Sequence, residues 1–551
     1  MVLAERSPSM PNAKGNASDQ ARLVAALADP ARFGPACASV AVLETHISYV
    51  LLTGLHAYKL KKAVDLGFLD FTTLEARRFF CEQELKLNRR LAPALYLDVV
   101  AITGTLDDPV IGGNGPVLEY AVKMREFVQD ALASRVLARD ELGAADIDAL
   151  AAKVAAFHAA SDRAPADGPF GTPDGILRVA LANFTALRPA PAAPAEQRAI
   201  AALEAWTRNE HAARSAEFHE RRRQGFVRES HGDLHLGNIA VIDGEITIFD
   251  CIEFNDAMRW IDVMSEVAFT AMDLQDRGHP GLAHRFVNAY VEITGDFTGL
   301  AVLRFYLVYR ALVRAKIALL RALQLPAGEA RAALHAERDG YVRLAEGYAR
   351  SPAPAIMITH GITGCGKTTL SQALLEQVGA IRIRTDVERK RLHGLAPTAR
   401  SDATTARGLY SSDATRRTYD HALRLAAGVA AAGFVTIVDG TFLRRWQRDR
   451  FRALAAELGI PFVVVAFAAT EATLRQRVAE RARRGTDASD ADLGVLEHQL
   501  RTLQALGADE MGKTVTYDAE APLAAARSPR AWRAVLDRLG RLEAADAAGV
   551  T

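Results

Sequence analysis

The segment GITGCGKT at 361–368 constrains the fold more than any other part of the sequence. It follows an apolar run, AIMITH, and opens the helical pattern KTTLSQALLEQV. The motif G-x-x-x-x-G-K-[ST] between a strand and a helix predicts a P-loop, whose backbone N–H groups and helix N-terminus face phosphate oxygens. The residues expected to bind a nucleotide here are Gly361, Gly364, Gly366, Lys367, Thr368 and Thr369.

Strands and helices alternate after this loop, which predicts an α/β P-loop NTPase fold with a doubly wound parallel sheet. Lys367 is expected to act on the β/γ-phosphates, and Thr368 to ligate Mg²⁺. Two acids follow strands. Asp386, after AIRIR, is the candidate base for a substrate hydroxyl, and Asp439, at the end of FVTIVD, is a candidate acid for water-held Mg²⁺.

A further Arg-rich segment, LRQRVAERARRG at 474–485, places Arg477 and Arg481 four residues apart on one helical face. That face is predicted to close as a lid over the triphosphate. The alternative is a solvated face on which Glu480 is the partner. Residues 355–525 resemble the P-loop kinases that include zeta toxins, gluconate kinase and the kinase half of polynucleotide kinase, whose lid region is similar to 487–499.

The segment HGDLHLGNIAVIDGEITIFD at 231–250 indicates a second place for phosphate chemistry. Asp233 precedes Asn238 by five positions, and a hairpin turned by Asp243-Gly244 returns Asp250 towards them. The kinase catalytic loop, H-R-D-x-x-x-x-N followed by the D of D-F-G, has this layout, although Gly232 replaces the arginine. The alternative is an ordinary hairpin entered through a polar turn.

The strand HAYK at 56–59 resembles the V-A-I-K strand of protein kinases, in which the lysine reaches the phosphates. We prefer Lys59, while Lys61 lies on the same face and is the competing candidate. Glu84, in the helix that follows, is the acid expected to pair with the strand lysine. The sequence contains no G-x-G-x-x-G loop, which argues against a protein kinase.

With these elements, residues 35–350 resemble the aminoglycoside phosphotransferase family, whose fold is kinase-like and whose catalytic loop reads H-G-D-x-x-x-x-N. The resemblance implies that Asp233 accepts the proton of the substrate hydroxyl. It also implies that Asn238 and Asp250 hold Mg²⁺, and that Lys59 orients the α/β-phosphates of ATP. His231 and His235, which flank Asp233, are predicted to brace the loop; a metal pair is the alternative.

The sequence predicts the identity of the phosphate acceptor less precisely than the type of reaction. Residues 250–276 hold seven acids against Arg259, and an acidic wall would suit a cationic amino sugar. The alternative, which we weigh evenly, is a helix with outward carboxylates braced by an Arg259–Asp262 pair.

The composition sets the remaining limits. A chain of 551 residues is expected to hold more than one domain, and a net charge of +1 does not favour nucleic acid or an acidic membrane as a partner. Four scattered cysteines and no apolar run long enough to span a bilayer predict a cytoplasmic protein without a disulfide framework. The oligomeric state is left open.

The sequence therefore predicts an α+β protein-kinase-like fold followed by an α/β P-loop NTPase. This fusion resembles bacterial proteins described as bifunctional aminoglycoside phosphotransferase/ATP-binding proteins. The predicted function is transfer of the γ-phosphate of Mg·ATP to a hydroxyl of a small, sugar-like molecule. Two rivals are a P-loop domain that is the sole kinase, and a nucleotide-responsive regulator. The predicted boundaries are a disordered tail at 1–20, the kinase-like domain at 21–350, a linker at 351–355, the P-loop domain at 356–535 and a tail at 536–551.

Overall fold

The computed structural model divides the chain into two compact units, each of which is discontinuous in sequence. The described residues are 13–67, 69–188, 194–350, 353–396, 409, 411–484 and 493–540. The first unit comprises Met1–Gly143, Phe157–Phe170 and Val227–Glu266. The second comprises Ala144–Ala156, Gly171–Phe226 and Val267–Thr551.

The strands are β1 (Ala41–Glu44), β2 (Ser48–Leu52), β3 (His56–Lys61), β4 (Tyr96–Gly104), β5 (Pro109–Ile111), β6 (Val117–Arg125), β7 (Val227–Glu229), β8 (Ile239–Ile242), β9 (Glu245–Ile248), β10 (Trp260–Asp262), β11 (Ala355–His360), β12 (Ala380–Arg384), β13 (Val435–Asp439), β14 (Phe462–Ala468) and β15 (Thr514–Asp518).

The helices are α1 (Ala13–Leu27), α2 (Leu74–Asn88), α3 (Ala133–Ala138), α4 (Ala144–Ala160), α5 (Pro173–Leu187), α6 (Pro194–Ala213), α7 (Ser215–Arg223), α8 (Asp256–Arg259), α9 (Val263–Asp276), α10 (Pro280–Thr294), α11 (Leu300–Gln324), α12 (Glu329–Ala349), α13 (Lys367–Val378), α14 (Thr385–Leu392), α15 (Ser412–Ala431), α16 (Arg445–Glu457), α17 (Glu471–Arg484), α18 (Leu493–Thr502), α19 (Ala508–Met511), α20 (Leu523–Ala526) and α21 (Arg533–Arg538).

The first unit is built on an antiparallel sheet with the strand order β1-β2-β3-β6-β4-β5. Side chains alternate between the two faces of a strand. In β3, Ala57 points into the cluster that contains Cys81 of α2, while Tyr58 and Leu60 point to the opposite face. Lys59 and Lys61 therefore share the α2 side of the sheet with Ala57.

The opposite face of this sheet is covered by α1, which begins inside the segment predicted to be a disordered tail. Leu23 and Leu27 of α1 are buried against that face. Gln20 is also buried: its Nε2 donates to Lys61 O at 2.9 Å and to Glu119 Oε2 at 2.7 Å. The predicted tail is thus wrong from residue 13 onward, because its polar composition concealed a buried hydrogen-bonding residue. Residues 1–12 lie outside the described part of the chain.

The predicted hairpin is present as β8 and β9, which pair antiparallel with Ile239 opposite Ile248. Asp243 and Gly244 at its turn both have positive φ, +55° and +80°, as a two-residue type I′ turn requires. Phe249 N–H donates to Asn238 O at 3.0 Å, just beyond the paired strands. The hairpin therefore returns the chain to the loop from which it started.

The second unit contains a parallel five-stranded sheet with the order β12-β13-β11-β14-β15. All six residues of β11 are buried between β13 and β14, and the P-loop leaves its carboxyl end. The predicted two-part fold, kinase-like and then P-loop, is confirmed. The helices α5, α6, α10, α11 and α12, however, belong to the same compact unit as the parallel sheet.

Two elements of the second unit cross predicted boundaries. β11 begins at Ala355, the last residue of the predicted linker. The helix α21 crosses the predicted start of the tail at 536, since Leu536 and Leu539 are buried in the core of the parallel sheet. Residues 541–551 lie outside the described part of the chain. Within the described residues, no helix combines the length and apolarity needed to cross a membrane.

We expect Gln20→Ala to destabilise the first unit by about 1–3 kcal/mol, because it leaves buried polar groups without partners. Those groups include Ala63 N–H, which donates to Gln20 Oε1 at 2.9 Å. The exposed neighbour Asp19 provides the control, and Asp19→Ala should change stability by less than about 0.5 kcal/mol. Equal unfolding midpoints in urea for both variants would contradict the buried position of Gln20.

Candidate active sites

The loop between β7 and β8 is fixed at Gly232, where the kinase pattern has arginine. Gly232 has φ +91°, and a Cβ there would lie 2.8 Å from Met258 O. Its N–H donates to Glu266 Oε1 at 2.6 Å. A side chain at this position would be both strained and sterically blocked, so glycine is a structural requirement of this loop.

Asp233 and Asn238 contact each other directly. Asn238 Nδ2 donates to Asp233 Oδ2 at 3.0 Å and also to Asp233 O at 3.0 Å. The Asp233 side chain is 39% exposed, so an incoming molecule can reach it. The amide therefore orients a carboxylate that remains open to solvent.

The two histidines brace this loop through hydrogen bonds. His231 Nε2 lies 2.8 Å from Phe249 O and must donate to it, while His231 Nδ1 accepts from Asp233 N–H at 3.3 Å. Burial lowers the pKa of His231, which favours this neutral form. His235 Nδ1 accepts from Gly237 N–H, so its Nε2 carries the proton that faces Asp233 Oδ2 at 3.4 Å. Among the described residues, no group of three or more His, Cys, Asp or Glu side chains is placed to hold a metal ion.

Asp250 lies at the end of the hairpin in a left-handed conformation, with φ +64°. Aspartate tolerates this region better than most residues. Its N–H donates to Tyr96 Oη at 3.1 Å, and its Oδ1 lies 2.5 Å from Lys59 Nζ. The next residue, Cys251, donates its N–H to Asn88 Oδ1 at 2.8 Å. Tyr96 and Asn88 thus fix the orientation of Asp250 from β4 and α2.

Lys59 and Lys61 both bind Glu84, but each binds a different oxygen atom of Glu84 and has a different second partner. Lys59 Nζ lies 2.8 Å from Glu84 Oε1 and also contacts Asp250. Lys61 Nζ lies 2.7 Å from Glu84 Oε2 and also contacts Glu253. Lys59 is therefore the lysine that faces the residue predicted to hold Mg²⁺, and Lys61 is the more buried of the two, at 1% exposure against 13%.

These buried charges shift one another's pKa. Burial opposes the charge of Glu84, but Lys59 and Lys61 outweigh it and lower the pKa of Glu84 from 4.5 to about 2. Burial likewise opposes the charge of Lys59, but Asp250 and Glu84 raise its pKa well above the usual range. Glu84 and Lys59 are therefore both charged at neutral pH.

The acidic run at 250–276 is held largely by contacts inside the protein. Buried Glu266 accepts from His158 Nε2 at 2.8 Å as well as from Gly232. Other acids of this run are paired with basic side chains, namely Glu253 with Lys61, Asp256 with Arg259, and Asp273 with Arg277. These contacts match neither alternative, because Glu253, Glu266 and Asp273 are buried and bound to groups of the protein rather than facing a substrate or pointing outward.

The predicted Arg259–Asp262 pair is absent from the contacts of Arg259. The Arg259 guanidinium contacts Glu229 Oε1 at 3.1 Å and also contacts Asp256. The reason is the pairing of β10 with β7, which places Trp260 opposite Glu229 and so brings Glu229 next to Arg259. Asp262 Oδ1 instead accepts from Met264 N–H at 2.9 Å, at the start of α9.

The P-loop in the second unit shows the backbone that its glycines predict. Gly364 and Gly366 both have φ +83°, and a Cβ at Gly364 would lie 2.9 Å from Leu474 O. A Cβ at Gly361 would lie 2.6 Å from Cys365 Sγ. The helix α13 begins at Lys367, directly after these turns, so its N-terminal N–H groups face the loop.

Lys367, Thr368 and Thr369 form the first turn of α13. Lys367 Nζ donates to Ile362 O at 2.9 Å, which folds the side chain over the loop. Thr368 is half-buried and Thr369 is exposed.

Gln499, in the lid-like region after 487, accepts a hydrogen bond from Thr363 N–H at 2.8 Å. Residues 485–492 of that region lie outside the described residues.

Asp439 ends β13, next to the P-loop strand β11. Its Oδ2 is buried without a hydrogen-bond partner in the protein, whereas Oδ1 lies 3.4 Å from Thr359 Oγ1. A buried carboxylate oxygen that lacks a partner is costly unless water or a cation meets it. The environment of Asp439 therefore fits the predicted role in holding Mg²⁺ through water.

Asp386 lies in the first turn of α14, directly after β12. It is half-buried. The strands β12 and β13 are parallel neighbours, with Arg384 opposite Asp439, and Thr385 Oγ1 donates to Asp439 O at 3.0 Å. Asp386 and Asp439 are therefore brought to the same edge of the sheet.

The Arg-rich helix α17 carries the two arginines predicted to form a lid, and one of them, Arg477, lies against the P-loop. A Cβ at Gly366 would lie 3.5 Å from Arg477 Nη1, and Arg477 Nη2 donates to Ala519 O at 2.9 Å. Glu480 accepts a hydrogen bond from Gln476 Nε2 at 3.0 Å. The side chain of Arg481 lies outside the described residues.

Comparison with known proteins assigns the same two regions. A model described as the phosphotransferase enzyme family matches residues 77–306, and one described as an AAA domain matches residues 356–506. An uncharacterized protein of Mycobacterium tuberculosis is 32% identical over 448 residues, which are 81% of this chain and 87% of that protein. A Mycobacterium bovis protein gives the same values.

The chain belongs to the same family as these mycobacterial proteins, and in this chain a phosphotransferase region precedes a P-loop region. It is an ATP-dependent kinase. Among solved structures, a choline/ethanolamine kinase family protein from Mesorhizobium loti is 13% identical and covers 61% of this chain and 95% of that one, with a TM-score of 0.38. A gluconokinase from Sinorhizobium meliloti is 23% identical and covers 35% of this chain and 95% of that one, with a TM-score of 0.25.

Glu84→Gln should lower the free energy of unfolding at neutral pH by about 3–5 kcal/mol, because it leaves two buried lysines poorly compensated. The native pKa of Glu84 is about 2 against an ordinary 4.5, so its stabilising effect is present above pH 4.5 and is lost as pH falls towards 2. Urea unfolding at pH 7 and pH 3 should therefore show a difference from wild type that narrows in acid.

Glu82 is the control, since it lies on the same helix but is half-exposed and bound to Arg78. Glu82→Gln should stay within about 0.5 kcal/mol of wild type at both pH values. A Glu84→Gln difference that is small, or the same at both pH values, would contradict the ionised cluster.

Proposed function

We propose that the first unit transfers the γ-phosphate of ATP to a hydroxyl of a small, sugar-like molecule. The observation that carries this proposal is the convergence of the predicted residues. The hairpin places Phe249 N–H in a hydrogen bond with Asn238 O. The Asn238 side chain donates to Asp233. Asp250 forms an ion pair with Lys59. The hairpin thus returns the chain to the loop that holds Asp233, and the residue that follows Phe249, Asp250, contacts Lys59 of β3.

Asp233 is the proposed base, which accepts the proton of the acceptor hydroxyl as the oxygen attacks phosphorus. Its partial exposure supports this role, since an acceptor can approach it from solvent. Asn238 and His235 both contact Asp233 Oδ2 and hold the carboxylate in one orientation. Positioning of this kind is most of what a protein contributes to phosphoryl transfer.

Asn238 and Asp250 are the residues that would hold Mg²⁺, and their oxygen atoms are the ligands that this ion prefers. When bound, Mg²⁺ offsets the charge on the phosphate oxygens. Lys59 is proposed to hold the α/β-phosphates of ATP, with Glu84 fixing its ammonium group at 2.8 Å. Lys61 and Glu253 are the second pair of the cluster, and they hold Glu84 from its other oxygen.

For the second unit we propose a second kinase site with its own ATP. Lys367 and Thr368 would contact the β/γ-phosphates and Mg²⁺, with Asp439 behind them and Arg477 beside Gly366. The unpartnered Oδ2 of Asp439 supports this assignment. Asp386, at the same edge of the sheet, is the proposed base for the acceptor of this site.

The acceptor proposed for the first site is a small molecule that carries a hydroxyl group. An amino sugar would be favoured by free carboxylates near Asp250, but Glu253, Asp256 and Glu266 are already bound to groups of the protein. The arrangement therefore gives no preference for a cationic acceptor. Equal turnover of amino and neutral sugars is consistent with this site.

Asp233→Asn should reduce phosphorylation of acceptors by the first site at least about 100-fold, because the amide cannot take the hydroxyl proton. A metabolite mixture incubated with ATP and analysed by mass spectrometry would report the phosphorylated products. Asp243→Asn makes the same chemical change at the exposed hairpin turn, where Asp243 binds Arg125, and should leave product formation unchanged. Full activity of Asp233→Asn would refute the proposed base.

The same screen with Lys59→Ala and Lys367→Ala separates the two sites. Two kinase sites predict that each variant loses a different set of products. Loss of every product in Lys367→Ala and of none in Lys59→Ala would instead identify the P-loop region as the sole kinase.

A further inference from the structure

The helix α10, which lies in the region matched by the phosphotransferase model, packs on the outer strand of the parallel sheet, β12. Asn288 Oδ1 accepts the N–H of Arg382 at 2.7 Å. Glu292, one helical turn later, contacts Arg384 Nη1 with Oε1 at 3.0 Å and Arg382 Nη2 with Oε2 at 3.4 Å. All of these residues belong to the second compact unit. One glutamate of α10 therefore holds two arginines of the P-loop sheet.

This cluster is shielded from solvent. The side chains of Glu292 and Arg384 are 18% and 17% exposed, and that of Arg382 is 6% exposed. Burial would raise the pKa of Glu292, but Arg382 and Arg384 outweigh this effect and lower it. The carboxylate is thus ionised at neutral pH, and its removal would leave two positive charges with less compensation.

Each of the two arginines connects Glu292 to a different part of the proposed second site. Arg382 Nη1 donates to Thr368 O at 2.8 Å and to Ser371 Oγ at 3.2 Å, so it contacts the first turn of the P-loop helix. Arg384 is the last residue of β12 and immediately precedes Thr385 and Asp386. Glu292 is therefore one side chain away from the proposed Mg²⁺ ligand and from the segment that carries the proposed base.

Two contacts near the start of α10 lack this connection. Arg285 Nη1 lies 2.7 Å from Glu376 Oε1, and His284 Nδ1 lies 3.0 Å from Glu376 O. Glu376 is in the last turn of α13, at the opposite end from Lys367 and Thr368. This second pair joins α10 to α13 rather than to β12, and it does not touch the phosphate-binding end of α13. It therefore separates a structural role from a positioning role.

We infer that Glu292 is a positioning residue for the P-loop site, which makes α10 of the phosphotransferase region a functional part of the second kinase site. The inference rests on the proposed function of that site. It predicts that the P-loop region depends for its activity on a residue outside the range 356–506 matched by the AAA-domain model.

The test uses the full chain and the rate of Mg·ATP consumption that Lys367→Ala removes, which reports the P-loop site alone. Glu292→Gln should lower this Lys367-dependent rate at saturating ATP by about tenfold, the size expected for losing a hydrogen bond to a charged group. Glu292→Asp, which keeps the charge, should recover most of it. Glu376→Gln should stay within about twofold of wild type, although both glutamine variants lower the melting temperature.

The outcomes separate the inference from the function on which it rests. A Lys367-dependent rate in Glu292→Gln within about twofold of wild type, or an equal loss in Glu376→Gln, overturns the positioning role while leaving the second kinase site intact. Absence of any Lys367-dependent ATP consumption in wild type overturns the proposed function of the second site, and the positioning role with it.

Discussion

The first site depends on one buried carboxylate that two lysines share. Glu84 joins α2 to β3 through Lys59 and Lys61, and these lysines continue to Asp250 and Glu253. Burying so many charges is favourable only when every charge has a partner at close range. The cluster therefore fixes the helix, the central strand and the segment after the hairpin in one arrangement, and the orientation of Asp250 follows from it.

The two proposed sites position their polar residues with different backbone structures. In the first unit, an antiparallel hairpin carries Asn238 and Asp250 to the same place, and a strained φ at Asp250 aims its side chain. In the second, parallel strands end at one edge, and glycines with positive φ turn the P-loop. In both, an acid or amide is held by neighbours before any ligand arrives, which is the preorganisation that phosphoryl transfer requires.

Local patterns made much of both sites predictable from the sequence. The P-loop, the Asp233–Asn238 spacing and the Asp243-Gly244 turn depend on residues that are near in the chain, so their geometry follows from short-range rules. Asn88, Tyr96 and Glu292 were not predicted, because their partners lie far away in sequence and no motif marks them. The helix α1 was missed for a related reason, since buried Gln20 finds its partners at Lys61 and Glu119.

We propose that one chain carries two separate sites for ATP, and the number of nucleotides bound per chain tests this proposal most directly. Equilibrium dialysis with Mg²⁺ and a non-hydrolysable ATP analogue should give two bound nucleotides per wild-type chain. Lys59→Ala and Lys367→Ala should each reduce that number towards one, by weakening different sites. A single bound nucleotide in wild type, lost in only one of the two variants, would contradict the account.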